Sequence, residues 1–377
     1  MKKKKIIWIT GSSFIDVDLP IVPRLKKYYD ITWFVVRQKD CWFSEQDVNK
    51  LFEENDVVGE IVTIDGRLRS FASAKKFFHI VSVVKKMSSD IIYINYLGVP
   101  YLWPMIFLSS IDRDKIVYPC HDFIDHVGVK NRTLYSIIKK VIFRRINKFQ
   151  FFSKSQQHLF HETYQKKRSF YAPLYLKGFG DPITSKRTNN QVVFLFFGSI
   201  RENKGLEYLI EASNILYHKY AGRFQIKICG SGDHWNDVKS LITHQDCFDI
   251  QIRRIENDEI AKLFSEVDYL VLPYLDVTQS GPLLISYYYN VPVIASDLPG
   301  FQEYILNKKN GFLFAAKNSE SLASVMAGVI ENGEKNSQIK CNLKMFVEKE
   351  ISIASIINKY RAGFEDFCRM NGKKYNA

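Results

Sequence analysis

Two short stretches of this 377-residue chain hold side chains suited to an anionic ligand. The first reads Phe196-Phe197-Gly198-Ser199-Ile200-Arg201-Glu202-Asn203-Lys204-Gly205-Leu206. An apolar run ends at Phe197, Gly198 turns the chain and a helical pattern begins near Gly205, leaving Arg201 and Lys204 in the loop between. A guanidinium grips phosphate oxygens in a fork and an ammonium supplies a mobile point charge, so the pair suits a diphosphate. The alternative is two solvated loop cations. The second stretch reads Leu272-Pro273-Tyr274-Leu275-Asp276-Val277-Thr278-Gln279-Ser280-Gly281-Pro282-Leu283-Leu284. A helix opening at Gly281-Pro282 presents unpaired N–H groups and partial positive charge, a ready place for phosphate oxygens. Thr278, Gln279 and Ser280 add hydroxyl and amide groups just ahead of it.

Two places in the first half of the chain also carry chemistry. His121 and Asp122 follow an apolar run at 116–118, where a loop imidazole can donate to a ligand hydroxyl or stabilise developing charge. The competing reading is a packed, hydrogen-bonded histidine. Gly11-Ser12-Ser13 follows the first apolar run, and its small residues let a ligand approach the backbone, although no full G-x-G-x-x-G is present. Asp16, Asp18 and Asp122 form no compact carboxylate pair, so no metal site is expected.

These loops need a scaffold, and the sequence supplies one. Short β-branched and aromatic runs at 6–10, 31–36, 61–64, 91–94, 116–118 and 149–152 read as buried parallel strands, with helical patterns near 19–29, 71–87 and 134–146 between them. The pattern restarts with strands at 192–197, 225–229, 249–252, 269–272 and 291–295, separated by helices near 206–218, 235–243, 257–264 and 282–289. Alternating βα units imply parallel, doubly wound sheets, here two sets. The Pro-, Gly- and polar-rich segment 171–191 is the expected boundary. Two such domains create a cleft at the C-terminal ends of their strands.

Composition narrows the class. Apolar residues make up 46% and charged residues 25%, which excludes a disordered tail, a collagen-like fibre and a disulfide-stapled mini-protein. Net charge is +13, and residues 1–190 hold 32 basic against 18 acidic residues while the rest hold 21 against 22. The six cysteines lie far apart with no metal-ligand spacing and read as reduced thiols of a cytoplasmic protein. The start, Met1-Lys2-Lys3-Lys4-Lys5 before a short apolar run, reads as a first buried strand rather than a signal peptide. No stretch is long and apolar enough for a transmembrane helix. The stretch 130–148 holds Lys130, Arg132, Lys139, Lys140, Arg144, Arg145 and Lys148 with no acid, interleaved with aliphatic residues, and 74–87 has a similar mixture. Such helices can lie on an anionic membrane surface; the bland reading is ordinary domain helices with a charged solvent face. No nucleic-acid module is present.

In order and separation, the two loop stretches resemble the C-terminal domain of family-4 glycosyltransferases, which have the GT-B fold. The resemblance continues through Val291-Pro292-Val293-Ile294-Ala295-Ser296-Asp297, the Gly-rich turn Pro299-Gly300-Phe301-Gln302-Glu303, and an Asn-Gly hairpin at Asn310-Gly311-Phe312-Leu313. It covers 192–330 clearly and the first half in outline. It implies an α/β GT-B architecture of two Rossmann-like doubly wound domains facing across a cleft. Residues 1–175 would bind the acceptor and 191–350 the nucleotide-sugar, with 351–377 a helix crossing back to the N-terminal domain. Arg201 and Lys204 would hold the donor diphosphate, and His121 would lie beside the donor sugar, the three forming the catalytic set. Gly11 and Ser12 would approach the phosphates. Thr278, Gln279, Ser280 and the backbone of Gly281, Leu283 and Leu284 would face phosphate and sugar oxygens. Arg254 and Ile255 would bracket the base, and Glu303 would lie near the donor. The family's two glutamates eight positions apart fall here on Thr278 and Ser286, and a related branch also carries Thr-Gln-Ser-Gly.

The implied activity is a retaining, metal-independent transfer of a hexosyl or related sugar from a nucleotide-diphosphate-sugar to a surface-glycan or lipid-linked acceptor. It uses no cofactor besides the donor substrate, and no nucleic acid. The alternatives are a non-catalytic nucleotide-sugar-binding partner of a glycosyltransferase and a GT-B nucleotide-sugar epimerase. The expected place is the cytoplasm, with a peripheral position at the inner face of the membrane through the basic half.

Overall fold

The structure is a computed structural model that describes residues 3–39, 41, 43–65, 70–95, 103–123, 132–183, 190–333 and 335–369. The polar linker run 185–189, Gly98, Pro100 and Lys130 lie outside the described residues. The chain folds as two compact units, one of residues 1–175 with 353–377 and the other of residues 176–352.

The first unit is built on β1 (Lys5–Gly11), β2 (Asp30–Gln38), β3 (Val58–Ile64), β4 (Ile91–Asn95), β5 (Ile116–Cys120), β6 (Lys148–Phe151) and β7 (Arg168–Tyr171). All are parallel, in the order β3-β2-β1-β4-β5-β6-β7. Alternate side chains of each strand enter opposite layers, which is why the strands read as continuous apolar runs. Ile7, Ile9, Phe34 and Val36 join one core with Phe77, Ile80 and Val84 of helix Phe71–Lys86, Phe107 of helix Trp103–Ser110 and Ile138 and Ile142 of helix Arg132–Arg145. Ile6, Trp8, Trp33 and Val35 join the other, which is sealed by helix Ile353–Arg369 through Ile356, Tyr360, Phe364 and Phe367. Each such buried side chain stabilises by roughly 1.5–3 kcal/mol, so this last helix is integral to the first unit.

The second unit repeats the plan with β8 (Val192–Ser199), β9 (Phe224–Ser231), β10 (Phe248–Ile252), β11 (Tyr269–Leu272), β12 (Val293–Ser296) and β13 (Gly311–Phe314). The order is β10-β9-β8-β11-β12-β13, again parallel throughout. In both sheets the winding reverses beside the first strand, between β1 and β4 and between β8 and β11. The C-terminal ends of strands at such a switch point are where open α/β sheets bind ligands.

Several local expectations change. Gly311 opens a strand parallel to β12 rather than the second arm of a hairpin, and Lys308 N–H donates to Gly311 O at 2.8 Å to close the turn before it. Of the helix expected over 19–29 there is a single turn, Val22–Leu25, preceded by another at Ile15–Asp18; Pro20 and Pro23 interrupt a continuous ladder. The short, half-buried β7 has no apolar run to announce it. No disulfide joins any of the six cysteines. Among the described residues, no helix is long and apolar enough to cross a membrane.

Candidate functional site

In the second unit the loops after β8 and β11 flank the switch point and are fastened to each other. Asn203 Nδ2 donates to Asp276 Oδ1 at 2.9 Å, and Leu275 N–H donates to Asn203 O at 3.0 Å. Gly205 is left-handed (φ 61°), and a Cβ there would lie 2.0 Å from Pro273 O, so only glycine lets the loops meet. The join carries Lys204 over the ring of Tyr274, its Nζ 3.8 Å from the centroid. Burial holds the Lys204 ammonium below its ordinary pKa, with Asp276 opposing and the Arg201 charge adding to the fall. Arg201 is exposed at the start of the single turn Glu202–Lys204. Among the described residues neither cation has a carboxylate oxygen within 4.0 Å. Two adjacent positive charges, one partly desolvated and opposed by Asp276 from beyond ion-pair distance, favour an anion between them.

The loop after β11 leads into helix Gly281–Tyr288, whose N-cap Ser280 accepts from Leu283 N–H at 3.3 Å. Leu284 N–H donates to Ser280 O at 3.3 Å and Pro282 has no N–H, so among the expected backbone donors Gly281 is the one not engaged by the cap. Gly281 is exposed, and a Cβ there would meet nothing within 4 Å. Thr278 and Ser280 are buried, Gln279 is half-buried, and Leu283 and Leu284 point into the core. Tyr274 packs on Phe301 of the turn Pro299–Gln302 (5.4 Å between rings), which brings that turn and the adjoining half-buried Glu303 to the same edge. Burial raises the Tyr274 phenol to about 12, against a lowering hydrogen bond with Ser280.

Arg254 and Ile255 follow β10, two strands from β8. Arg254 is exposed with Nε 3.9 Å from Glu256 Oε1, and Arg253 forks Glu259 at 2.7 and 2.6 Å, bracing the loop. Ser286 is fully buried and donates to Val291 O at 2.7 Å, a packing role that places its hydroxyl away from any ligand. Spacing from the loops alone did not point to the stretch Gly230-Ser231-Gly232 at the tip of β9. Ser231 O accepts from Ile200 N–H at 2.8 Å, and a Cβ on Gly232 would sit 2.0 Å from Ile200 O, so it fixes the backbone that presents Arg201. The signal is two glycines, Gly230 and Gly232, straddling the end of a strand.

In the first unit, Gly11 closes β1 with an ordinary extended backbone (φ −82°), and Ser12 starts the turn Ser12–Phe14. That turn lays Phe14 against His121 at the tip of β5 (rings 4.2 Å apart), and Phe152 also stacks on the imidazole at 4.3 Å. His121 Nε2 lies 2.8 Å from Asn95 Oδ1. Burial depresses its pKa to about 4 despite the raising influence of Asp122 and Asp16, so the ring is neutral near pH 7. Among the described residues, no group of three or more His, Cys, Asp or Glu side chains could hold a metal.

Residues 191–332 match the family model described as glycosyl transferases group 1. An uncharacterized glycosyltransferase of Methanocaldococcus jannaschii is 25% identical over 188 residues, 47% of this chain and 46% of the relative. One from Haemophilus influenzae is 25% identical over 170 residues, covering 44% and 47%. The chain spans about half the length of the curated relatives it matches. Among solved structures, a glycosyltransferase from Rickettsia africae superposes with a TM-score of 0.72 at 16% identity, covering 97% of this chain and 99% of that one. Anabaena HepE in complex with UDP gives 0.69 at 15% identity, covering 96% and 100%. The two Rossmann-like units therefore have the fold of GT-B glycosyltransferases, and residues 191–332 match as a glycosyl transferases group 1 domain.

Proposed function

We propose that the protein transfers a sugar from a nucleotide-diphosphate-sugar to a surface-glycan or lipid-linked acceptor, with retention of anomeric configuration. The carrying observation is the pair Arg201 and Lys204, neither in an ion pair within 4.0 Å among the described residues, beside the open helix tip at Gly281, on a domain matched to glycosyl transferases. As the bond from the anomeric carbon to the diphosphate breaks, its electron pair stays on the phosphate oxygen and adds one negative charge to the leaving group. Arg201, Lys204 and the Gly281 N–H stabilise it. The acceptor oxygen bonds to the anomeric carbon from the same face and passes its proton to the departing phosphate oxygen. No protein nucleophile, metal or cofactor enters. The second unit holds the donor, with Thr278, Gln279 and Ser280 toward the sugar and Arg254 and Ile255 at the base; the first unit takes the acceptor and brings Gly11, Ser12 and His121. HepE, crystallised with UDP-glucose, supports a donor of this class.

The test is turnover of a panel of nucleotide-sugars, with released nucleotide as readout. Arg201→Ala and Lys204→Ala should each weaken nucleotide binding roughly 10- to 100-fold, the scale of a lost charge-assisted hydrogen bond, and a chelator should leave turnover unchanged. Unaltered affinity in both variants removes the assignment. Binding without turnover would favour a non-catalytic role, consistent with the packing role of Ser286, and conversion to an epimer would favour an epimerase.

We also propose that the first unit rests on anionic lipid. Helices Phe71–Lys86, Trp103–Ser110 and Arg132–Arg145 form one layer with no acidic residue. That layer exposes Phe71 at 90%, Phe78 at 55% and Ile137 at 54% among lysines and arginines. Lys148 does not join them: it is buried and donates to Asp114 O. Sedimentation with phosphatidylglycerol vesicles should fall as salt rises and should drop in Phe71→Ser/Phe78→Ser; no sedimentation at low salt removes this proposal.

A further inference from the structure

At the switch point of the first sheet, the ends of β1 and β4 lie side by side with Thr10 opposite Asn95. A chain of polar groups runs from there to His121, and only the imidazole at its end is not fully buried. Trp33 Nε1–H donates to Thr10 Oγ1 at 2.7 Å, so the Thr10 hydroxyl proton is directed to Asp18 Oδ2, also at 2.7 Å. Asn95 Nδ2 donates to both Asp18 oxygens at 3.2 Å. That orientation turns Asn95 Oδ1 toward His121, where an acceptor requires Nε2 to carry the proton.

We propose that Asp18 is a positioning residue: acting through the Asn95 amide, it fixes His121 as the Nε2–H tautomer, so that Nδ1 is an acceptor. Asp18 has no exposed surface and the helix bearing it is a single turn, so packing alone does not explain an acid at this place. A carboxylate accepts from Thr10 and, with both oxygens, from Asn95, and it offers no N–H in return. In either protonation state it keeps an oxygen for the Asn95 amide, which matters because burial lifts its pKa to about 7. An amide at position 18 that keeps its oxygen on the Thr10 hydroxyl turns its N–H to Asn95 in place of Oδ1, and Asn95 then turns over and presents its own N–H to His121. The relay contributes to turnover only on the transferase reading above; the tautomer does not depend on that reading.

The test uses the full chain with 15N-labelled histidine and long-range 1H–15N spectra near pH 7, His121→Gln identifying the signals. The wild type should show Nε2 protonated. Asp18→Asn should move the proton to Nδ1, and Asp18→Asn/Asn95→Asp, which restores an acceptor toward His121, should return it to Nε2. In donor turnover, Asp18→Asn should lower kcat roughly tenfold or more with KM little changed, and the double variant should recover. Protonated Nδ1 in the wild type overturns the proposal, as does an unswapped tautomer in a folded Asp18→Asn. Should Asp18→Asn alone fail to fold, protonated Nδ1 in the double variant overturns it. A tautomer swap in a protein that turns over no nucleotide-sugar upholds the relay and removes the transferase reading.

Discussion

The two sheets share a winding plan and part company at their switch points. At the second, between β8 and β11, the loops are glycine-jointed and carry Arg201 and Lys204, neither in an ion pair within 4.0 Å among the described residues, beside the open Gly281. At the first, between β1 and β4, the space is filled by Thr10, Asp18 and Asn95, hydrogen-bonded to one another. The same location can serve to accept charge from outside or to hold one ring in a fixed state. The side chains that follow the strand ends decide which. On the proposed function, the first task belongs to a departing diphosphate and the second to a neutral imidazole.

The contrast can be broken most forcefully at Gly205. Gly205→Ala combines an unfavourable left-handed backbone, about 1–2 kcal/mol, with an overlap on Pro273 O that would part Asn203 from Asp276 and Leu275. The expected loss is about 4 kcal/mol in the unfolding of the second unit, with nucleotide binding lost alongside. A change under 1 kcal/mol in thermal unfolding would show that the loops meet by some other route.

The next effect lies in the first unit and is read against pH. Asp18 binds its proton more tightly when folded (about 7 against 3.8), so alone it makes stability fall as pH climbs from about 4 to 7. His121 binds its proton less tightly when folded (about 4 against 6.5), so alone it makes stability rise from about 4 to 6.5. Between those limits the folded pair holds one proton, on Asp18, and the unfolded pair holds one, on His121. Together their pH dependence cancels. Asp18→Asn should therefore tilt the curve upward relative to wild type and His121→Gln downward, each by up to about 1.4 kcal/mol per pH unit. Parallel curves for all three proteins over pH 4–6.5 would mean the two groups are not buried as described.

The smallest effect sharpens the picture of the open tip. Gly281→Ala adds a methyl into empty space at a helix start, so thermal unfolding should shift upward by roughly 0.5–1 kcal/mol. Nucleotide affinity should fall in the same variant, because that space is where phosphate oxygens would approach. Gain of stability with undiminished affinity would move the diphosphate off the helix tip.

Much of this was legible beforehand because both sheets are buried on two faces. Runs such as Ile6-Ile7-Trp8-Ile9 must be apolar on every residue and so stand out. The loops after β8 and β11 were legible for the opposite reason, as polar punctuation at strand ends. The web around His121 was hidden because Asp18, Asn95 and His121 come from separate places in the sequence and meet only when β1, β4 and β5 line up. Lys148 reads as one more surface cation, yet it lies inside because a backbone carbonyl and the ring of Phe367 receive it. β7 was missed since a half-buried Arg-Ser-Phe-Tyr strand lacks the periodicity that marks its neighbours.

The helix Ile353–Arg369 has a consequence for biogenesis. The sheet of the first unit leaves the ribosome before the second unit does, yet the element that covers Trp8 and Tyr93 follows the whole second unit. At about 5–20 residues per second, roughly 180 intervening residues leave that aromatic face uncovered for about 10–35 seconds. During this interval the nascent chain exposes a sticky surface that holdase chaperones would shield, and a ribosome stalled before residue 353 would release a product unable to finish its first domain.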